Sequence, residues 1–278
     1  MSNNPTNKEC VLQQYSDDRN LSARMSLHTK HSTNKQGLIS WLWEQYRFFA
    51  HCRILELGCG NGAQWEDKVD TLPYGCEVIL SDLSDGMVRI VKEKYSEYKL
   101  TFQQIDIQKI PYANDSFDFI IANHMLYHVP DLTRALSEVK RVLKTNGILY
   151  STTIGSGGLQ PFLHSAFKRF DSNTEAFAQK FSFIMQNGYE VLNEHFVDVK
   201  RVDYEDSFSI TETQDLIDWI ESTITIGSYS QQSLDSLYGY FEDIRKRDGA
   251  INIPKEVGLF ISQNKQVSAC RNRRKQRR

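Results

Sequence analysis

Apolar and polar residues follow two different periods along the chain, and these periods alternate. Five short runs have the length and pattern of β-strands, at 53–57, 77–82, 100–107, 117–123 and 148–154. Between them, apolar residues recur at helical spacing over 84–98 and 131–144, which predicts two helices. Strands that alternate with helices of this length are typical of βαβ units and of a parallel sheet.

The pattern differs on either side of this alternation. Residues 1–36 are mostly polar, whereas 37–50 are rich in large apolar side chains and predict a helix. Beyond residue 155 the pattern predicts helices at 160–170, 173–187, 212–223 and 231–247, and strands at 196–204 and 258–263. The last two strands are separated by an insertion of about 45 residues, which is long and structured enough to form a cap over a site.

Composition and charge exclude some classes of protein. Of the 278 residues, 40% are hydrophobic and 12% aromatic, which is enough to build a core and excludes general disorder. The formal net charge is −2, but the last eight residues, RNRRKQRR, carry six basic groups and no acid. The rest of the chain is therefore acidic, which argues against a broad nucleic-acid-binding surface.

The five cysteines, at positions 10, 52, 59, 76 and 270, form no CxxC pair, and no His/Cys cluster has zinc spacing. The start of the chain, MSNNPTNKEC, lacks the apolar stretch of a signal peptide. No run approaches the roughly 18 apolar residues of a membrane span. We therefore expect free thiols, no metal site, no membrane segment and a cytoplasmic protein.

The strongest chemical signal is the segment 54–62, ILELGCGNG. It reads as a strand containing the acid Glu56, followed by three alternating glycines, Gly58, Gly60 and Gly62. Glycines allow a tight turn and let a ligand approach the backbone closely. We expect a helix after Gly62, whose N-terminus would offer free N–H groups to a ligand.

Two further acids follow the next strands. Asp82 ends the second strand, where a carboxylate can accept both ribose hydroxyls of a nucleoside. Asp106 is expected to end the third strand, and with the apolar Ile107 it suits the amino group and the ring of an adenine. The carboxyl ends of parallel strands form the edge at which open α/β sheets bind ligands.

The loop also distinguishes two kinds of nucleotide. A dinucleotide site favours GxGxxG, which seats a pyrophosphate. Here the run is GCGNG, and Glu56 stands two residues before Gly58. This carboxylate would repel a pyrophosphate and attract a cationic group. The loop therefore favours an adenosine that carries an ammonium or sulfonium over NAD.

Residues 53–150 resemble the class I S-adenosylmethionine-dependent methyltransferases. The resemblance is carried by ELGCGNG, SDLSDGMV, QQIDIQKIPYANDSFDFIIANHMLYHVPD and LTRALSEVKRVLKTNGILY. It is strongest to the small-molecule subgroup typified by the ubiquinone- and menaquinone-biosynthesis enzymes. It implies an α/β fold with a Rossmann-like, mostly parallel sheet, an antiparallel last strand, helices on both faces and a helical cap. It also implies S-adenosyl-L-methionine as cofactor and methyl transfer to a small-molecule acceptor.

The resemblance assigns roles to individual residues. Glu56 would orient the methionine amino group, and Leu83 and Met87 would pack on the adenine. His124, just after the fourth strand, is the candidate catalytic residue because a neutral imidazole can take a proton from a substrate. His128 is expected to be structural. The implied cofactor-binding residues are Glu56, Gly58, Cys59, Gly60, Gly62, Asp82, Leu83, Met87, Asp106, Ile107 and Asn123.

We therefore expect a lid segment over 1–36, a cofactor-binding core over 37–154, further strands with a helical cap over 155–263, and a flexible basic tail over 264–278. The expected partner is a small molecule rather than a nucleic acid. Three alternatives stay open: a methyltransferase that acts on RNA or protein, a cofactor-binding scaffold or sensor without catalysis, and, less favoured, an NAD-dependent oxidoreductase.

Overall fold

A computed structural model describes residues 6–178, 180–223 and 229–264. Its strands are β1 (Arg53–Leu57), β2 (Glu77–Asp82), β3 (Thr101–Gln104), β4 (Phe117–Asn123), β5 (Leu143–Ile154), β6 (Val197–Tyr204), β7 (Ser207–Ile210), β8 (Ile251–Pro254) and β9 (Val257–Gln263). Its α-helices are α1 (Lys8–Gln14), α2 (Arg19–His31), α3 (Leu38–Gln45), α4 (Asp85–Lys94), α5 (Leu132–Val142), α6 (Leu159–Lys168), α7 (Gly188–Asn193), α8 (Thr213–Glu221) and α9 (Gln231–Asp248).

Seven of the strands form one sheet in the order β3-β2-β1-β4-β5-β9-β6. Strands β1 to β5 pair in parallel, and β9 runs antiparallel to both of its neighbours, β5 and β6. The predicted fold class, a mostly parallel sheet whose last strand is antiparallel, is confirmed.

The residues of β1 alternate between two cores on opposite faces of this sheet. Leu55 and Leu57 pack in a core that includes residues of α5 and α7. Ile54 packs in the other core, which includes residues of α3 and α4. The helices therefore cover both faces, and Glu56 points to the same side as Ile54.

The insertion after β6, together with α6 from the segment before that strand, forms a cap with a hydrophobic core of its own, built from α6, α8, α9 and the small sheet β7-β8. The helices predicted over 160–170, 212–223 and 231–247 are confirmed with small shifts at their ends. The small sheet was not predicted. It pairs Ile210 with Ile251 and so closes the base of the insertion.

The segment expected to be a lid is helical in its described part, and the C-terminal end of α2 is fixed to the cap. Leu27 of α2 is buried in the cap core. His31 Nε2 lies 2.7 Å from Asp215 Oδ2 on α8. Beside it, Lys255 and Asp206 form a nearly buried ion pair at 2.5 Å. The helix α2 therefore belongs as much to the cap as to the N-terminal segment.

The helix predicted over 173–187 is wrong. The described residues of this stretch form turns, and α7 begins only at Gly188. Phe177, with a left-handed φ of 58°, packs in the cap core, whereas Phe183 packs in the core of the sheet. One helix cannot serve two separate cores, so the chain crosses between them in turns.

The prediction of a helix after Gly62 is also wrong. Two short 3₁₀ turns, Ala63–Trp65 and Val69–Thr71, follow the glycine loop instead. The fully buried Trp65 explains the difference, because its indole turns back onto Glu56 and fixes a compact turn.

Two further elements end earlier than expected. The helix predicted over 37–50 ends at Gln45, because Tyr46 turns to an extended conformation and its ring packs in the core. The strand predicted over 100–107 ends at Gln104, which places Asp106 in the following turn rather than at the strand end.

No helix in the described ranges is long and apolar enough to span a membrane. Cys10, Cys52, Cys59 and Cys76 form no disulfide. Cys270 and nearly all of the predicted basic tail, from residue 265 on, lie outside the described residues.

Candidate active site

The glycine loop brings backbone to the carboxyl edge of the sheet. Gly58, Gly60 and Gly62 all have left-handed φ angles, of 73°, 55° and 72°, which glycine adopts without strain. A Cβ on Gly60 would lie 3.0 Å from Leu21 of α2. The loop is therefore covered closely by the N-terminal segment, and a side chain at Gly60 would press against Leu21.

Asp82 links the glycine loop to the end of β2. Its Oδ2 accepts a hydrogen bond from Gly60 N at 3.0 Å, and its Oδ1 accepts one from Ser84 N at 2.8 Å. Burial raises the pKa of Asp82, and these backbone hydrogen bonds oppose the increase. Ser84, not Asp82, caps α4 by accepting from Met87 N. A carboxylate has about four acceptor sites, so Asp82 can still accept from a further donor such as a ribose hydroxyl.

Asp106 lies on the same edge and contacts the N-terminal segment. Its Oδ1 accepts from Gln108 N at 3.0 Å, and its Oδ2 accepts from Lys8 Nζ at 2.9 Å. Burial raises the pKa of Asp106, but the hydrogen bonds from Lys8 and Gln108 outweigh it and lower the pKa overall. The adjoining Ile107 is buried within the core that includes α5.

The two residues expected to pack on the adenine differ in accessibility. Leu83 keeps accessible surface, whereas Met87 is fully buried by protein. Cys59 is buried within the loop, and its amide donates to Ser81 O at 2.8 Å. Burial raises the pKa of the Cys59 thiol well above its usual value, which agrees with a packing role.

Glu56 is a buried acid with one side-chain donor. Its Oε2 accepts from Trp65 Nε1 at 2.5 Å. Burial raises the pKa of Glu56 to about 8, although the Trp65 hydrogen bond lowers it. A cation placed beside the carboxyl would favour its ionised form. The site therefore suits the positively charged amino group expected there.

Next to Glu56, an amide pair leaves two polar atoms without partners. Asn123, the last residue of β4, donates from Nδ2 to Tyr46 OH at 2.8 Å and to Gln64 Oε1 at 2.6 Å. Asn123 Oδ1 and Gln64 Nε2 are buried and have no hydrogen-bond partner. An amino-acid zwitterion could donate from its ammonium to Asn123 Oδ1 and accept from Gln64 Nε2 with its carboxylate. Gln64 was missed from the sequence because a helix was expected at its position.

His124 lies directly after β4, where the backbone is left-handed with φ 51°. Its amide donates to Thr152 O on β5 at 3.1 Å. Burial lowers the pKa of His124 to about 4. On α2, burial together with Lys255 and His124 lowers the pKa of His28 to about 3. Both imidazoles are therefore neutral at physiological pH, and they are close enough to interact.

His28 keeps an accessible side chain although burial dominates its pKa. These two observations agree if His28 lines an internal cleft between α2 and the end of β4. His28, like Arg24 and Tyr15, belongs to the N-terminal segment that the family resemblance predicted to fold over the cofactor as a lid.

Tyr15 connects the two ends of this cleft. Its carbonyl accepts from Ser84 Oγ at 2.7 Å, beside Asp82, and its hydroxyl lies 3.4 Å from His128 Nε2. His128, expected to be structural, therefore contacts the N-terminal segment. The segment runs along the whole carboxyl edge from the second strand to the fourth.

Comparison with known proteins agrees with this geometry. Residues 55–151 match the family model described as "Methyltransferase domain". The malonyl-[acyl-carrier protein] O-methyltransferase of Bacillus cytotoxicus is 34% identical over 132 residues, which are 48% of this chain and 45% of that protein. The chain thus spans about half the length of the curated relatives it matches.

Solved structures resemble most of the chain at low sequence identity. The [4+2]-cyclase SpnF has a TM-score of 0.61 and 15% identity, covering 94% of this chain and 97% of that one. Phosphoethanolamine N-methyltransferase 2 of Haemonchus contortus, in complex with S-adenosyl-L-methionine, has a TM-score of 0.54 and 18% identity. The match covers 90% of this chain and 57% of that one. At these identities the likeness shows a common fold.

Proposed function

We propose that the chain, which carries a methyltransferase domain with the class I fold over residues 55–151, transfers a methyl group from S-adenosylmethionine to a small-molecule acceptor. The observation that carries the proposal is the unsatisfied amide pair of Asn123 and Gln64 beside buried Glu56. These groups complement an amino acid, while Asp82 on the same edge complements a ribose.

The roles of the cofactor-binding residues follow from their free hydrogen-bonding capacity. Asp82 accepts the ribose hydroxyls, and Gly60 keeps the loop backbone close to the ligand. Asp106 accepts the adenine amino group in competition with Lys8. Glu56 binds the methionine ammonium in its ionised form. When bound, S-adenosylmethionine supplies an electrophilic methyl group on a sulfonium.

The residues of the N-terminal segment act as a lid over this site. The helix α2 passes over Gly60 through Leu21 and reaches His124 through His28. A covered site excludes water and fixes the acceptor relative to the methyl group. Alignment of this kind contributes up to ~7–11 kcal/mol in the best intramolecular reactions.

His124 and His28 serve the acceptor side as neutral imidazoles. A protonated histidine there would repel a sulfonium, and their low pKa values prevent this at physiological pH. A neutral ring can accept a hydrogen bond from a hydroxyl or amine of the acceptor. We assign His124 to contact with the acceptor, because its backbone is fixed to Thr152 on a central strand.

The acceptor itself is open to a directed search. The curated relatives are named for a malonyl group on an acyl-carrier protein, so malonyl thioesters are the first acceptors to test. The cyclase with a similar structure shows that this fold also occurs in a protein named for another reaction. Binding of the cofactor and transfer of its methyl group therefore need separate assays.

The test is transfer of radiolabel from S-adenosylmethionine labelled on the methyl group. The purified chain would be incubated with a small-metabolite extract that includes malonyl thioesters and, separately, with protein and RNA. We expect label in the small-molecule fraction, lost in Asp82→Ala and retained in the exposed control Asp85→Ala. Label in RNA, or in protein other than a malonyl thioester on its carrier, would contradict the small-molecule acceptor, and cofactor binding without transfer would support a scaffold.

A further inference from the structure

The lid places a single partly buried cation at the cleft without a carboxylate partner. Lys8, Arg19 and Lys30 each pair with an aspartate at 2.6 to 2.9 Å. Arg24, in the middle of α2, is partly buried, and no described carboxylate lies within ion-pair distance of it. An unpaired buried charge is costly unless something else compensates it.

The Arg24 guanidinium is anchored from one side only. Its Nη1 donates to Ser222 O, at the C-terminal end of α8, at 2.9 Å. Gln14 Nε2 donates to the same oxygen at 2.8 Å. The other terminal nitrogen of Arg24, Nη2, is buried and has no hydrogen-bond partner. The anchor therefore fixes the guanidinium and leaves the donors of Nη2 unused.

Aromatic side chains surround this guanidinium. Its Cζ lies 5.3 Å from the centroid of the Tyr15 ring. Burial raises the pKa of the Tyr15 and Tyr127 hydroxyls, and Arg24 acts on both in the opposite direction. Both phenols are thus protonated at neutral pH and can donate hydrogen bonds. The Tyr127 ring also lies 5.1 Å from the Phe181 ring, which extends an apolar wall.

A planar cation with a free N–H edge, beside two phenol donors and an apolar wall, is complementary to a carboxylate on an apolar chain. The anchoring oxygen belongs to α8, a cap helix, rather than to the glycine loop. Tyr127 packs on the core opposite to the one that holds Tyr46, the partner of Asn123. Arg24 is therefore tied to the cap through Ser222 and lies near Tyr127, on the face of the sheet opposite to Tyr46.

We infer that Arg24 binds a carboxylate of the methyl acceptor and so selects anionic acceptors, with Tyr15 and Tyr127 as additional donors. This inference rests on the proposed function, because it presumes that the cleft holds an acceptor beside the cofactor. Arg24 anchors the acceptor through this group, and the carboxylate need not be the atom that is methylated.

The experiment compares Arg24→Gln and Arg24→Lys with Arg19→Gln, an exposed arginine on the same helix. Affinity for S-adenosylhomocysteine is measured first, and we expect all variants to agree with the unmodified chain within twofold. Absence of binding in the unmodified chain would refute the proposed function itself, independently of Arg24.

The second stage uses protein saturated with S-adenosylhomocysteine and a series of straight-chain carboxylates with their primary amides as probes. We expect carboxylates, but not amides, to raise the melting temperature of the unmodified chain and of Arg19→Gln. In Arg24→Gln the affinity for the same carboxylates should decrease at least tenfold. The affinity of Arg24→Lys should lie between that of Arg24→Gln and that of the unmodified chain.

Three results would overturn the inference. One is an unchanged carboxylate response in Arg24→Gln, and another is no carboxylate response in the unmodified chain that binds S-adenosylhomocysteine. The third is a large loss of S-adenosylhomocysteine affinity in Arg24→Gln with unchanged affinity for 5′-methylthioadenosine, which lacks the amino acid. That pattern would assign Arg24 to the carboxylate of the cofactor.

Discussion

The two halves of the proposed active site are built in different ways. The cofactor half consists of strand ends and a loop held by backbone hydrogen bonds, such as Cys59 N to Ser81 O at 2.8 Å and Gly60 N to Asp82 at 3.0 Å. The acceptor half consists of α2 and the cap, joined by side chains far apart in sequence, such as Lys30 and His31 of α2 with Asp215 of α8.

This difference has a consequence for function. The central strands can hold the cofactor half in place without the cap, because its hydrogen bonds lie within the sheet edge. The acceptor half depends on a few polar contacts between the lid and the insertion. We therefore expect that each half can be impaired by substitution while the other still binds its ligand.

The largest effect is expected from Lys255→Met. The Lys255 and Asp206 side chains are only 5% and 1% exposed, so the substitution leaves a buried carboxylate without its cation, held only by neutral donors such as Ser32 Oγ and Asn34 N. Loss of one partner of a buried pair typically costs about 3–5 kcal/mol of unfolding free energy. Urea unfolding measures this loss, and the affinity for S-adenosylhomocysteine should stay within threefold.

Two controls sharpen the Lys255 prediction. Lys246→Met, on the exposed face of α9, should change stability by less than about 0.5 kcal/mol. The double variant Lys255→Met/Asp206→Leu removes both charges and should recover at least half of the loss. If Lys255→Met abolished cofactor binding in folded protein, the two halves would not be separable.

Glu56→Gln should change how stability depends on pH. The pKa of Glu56 is raised to about 8 by burial in the folded chain, while the unfolded chain ionises near pH 4.5. Between these values the folded state holds the extra proton, so stability falls as pH rises, by up to about 1.4 kcal/mol per pH unit. Glu56→Gln removes this dependence and should be the more stable protein at pH 7.5.

The same variant should bind S-adenosylmethionine less tightly, since it lacks the carboxylate that pairs with the ammonium. Denaturant titrations at pH 5 to 8 measure the stability, and Glu97→Gln, at an exposed position, serves as control. A Glu56→Gln profile that runs parallel to that of the unmodified chain would refute the raised pKa.

Asp82→Ala should weaken S-adenosylmethionine binding at least tenfold, which is about 1.4 kcal/mol. It removes the ribose acceptor and also the partner of two backbone N–H groups. Isothermal titration calorimetry on the folded variant measures the change. Asp85→Ala, an exposed acid on α4, should match the unmodified chain. Equal affinity in Asp82→Ala would exclude the proposed ribose position.

Lys8→Ala is expected to have the smallest effect. The Lys8 side chain is 52% exposed, so its ion pair with Asp106 should contribute less than about 1 kcal/mol to stability. The substitution frees Asp106 Oδ2 for the adenine, so affinity for S-adenosylhomocysteine should rise up to about threefold. A clear fall in affinity would show that Lys8 supports the site instead.

The residues of the cofactor half could be predicted from the sequence better than those of the acceptor half. Asp82 ends an apolar run that marks a strand and Glu56 lies within another, so local spacing predicted that both lie at the carboxyl edge, whereas Asn123 was expected from the family resemblance. Gln64 was hidden because burial of Trp65 against Glu56 replaced the expected helix with a turn. A tertiary contact of this kind leaves no periodic signal.

The acceptor half could not be predicted in this way. Arg24 meets Ser222 across 198 positions of sequence, and Lys255 meets Asp206 across 49. Neither pair belongs to a motif, and although residues 1–36 were expected to form a lid, their polar spacing does not predict the helix α2 or its contacts with the cap. The helix prediction for 173–187 failed for a related reason, because the apolar residues of this stretch divide between two cores.

The central claim is that the carboxyl edge of the sheet binds S-adenosylmethionine. The most direct test is calorimetric titration of the purified chain with S-adenosylmethionine, S-adenosylhomocysteine and NAD. We expect micromolar binding of the first two at one site per chain and no binding of NAD. Folded protein that binds neither sulfur compound, or that binds NAD more tightly, would contradict it.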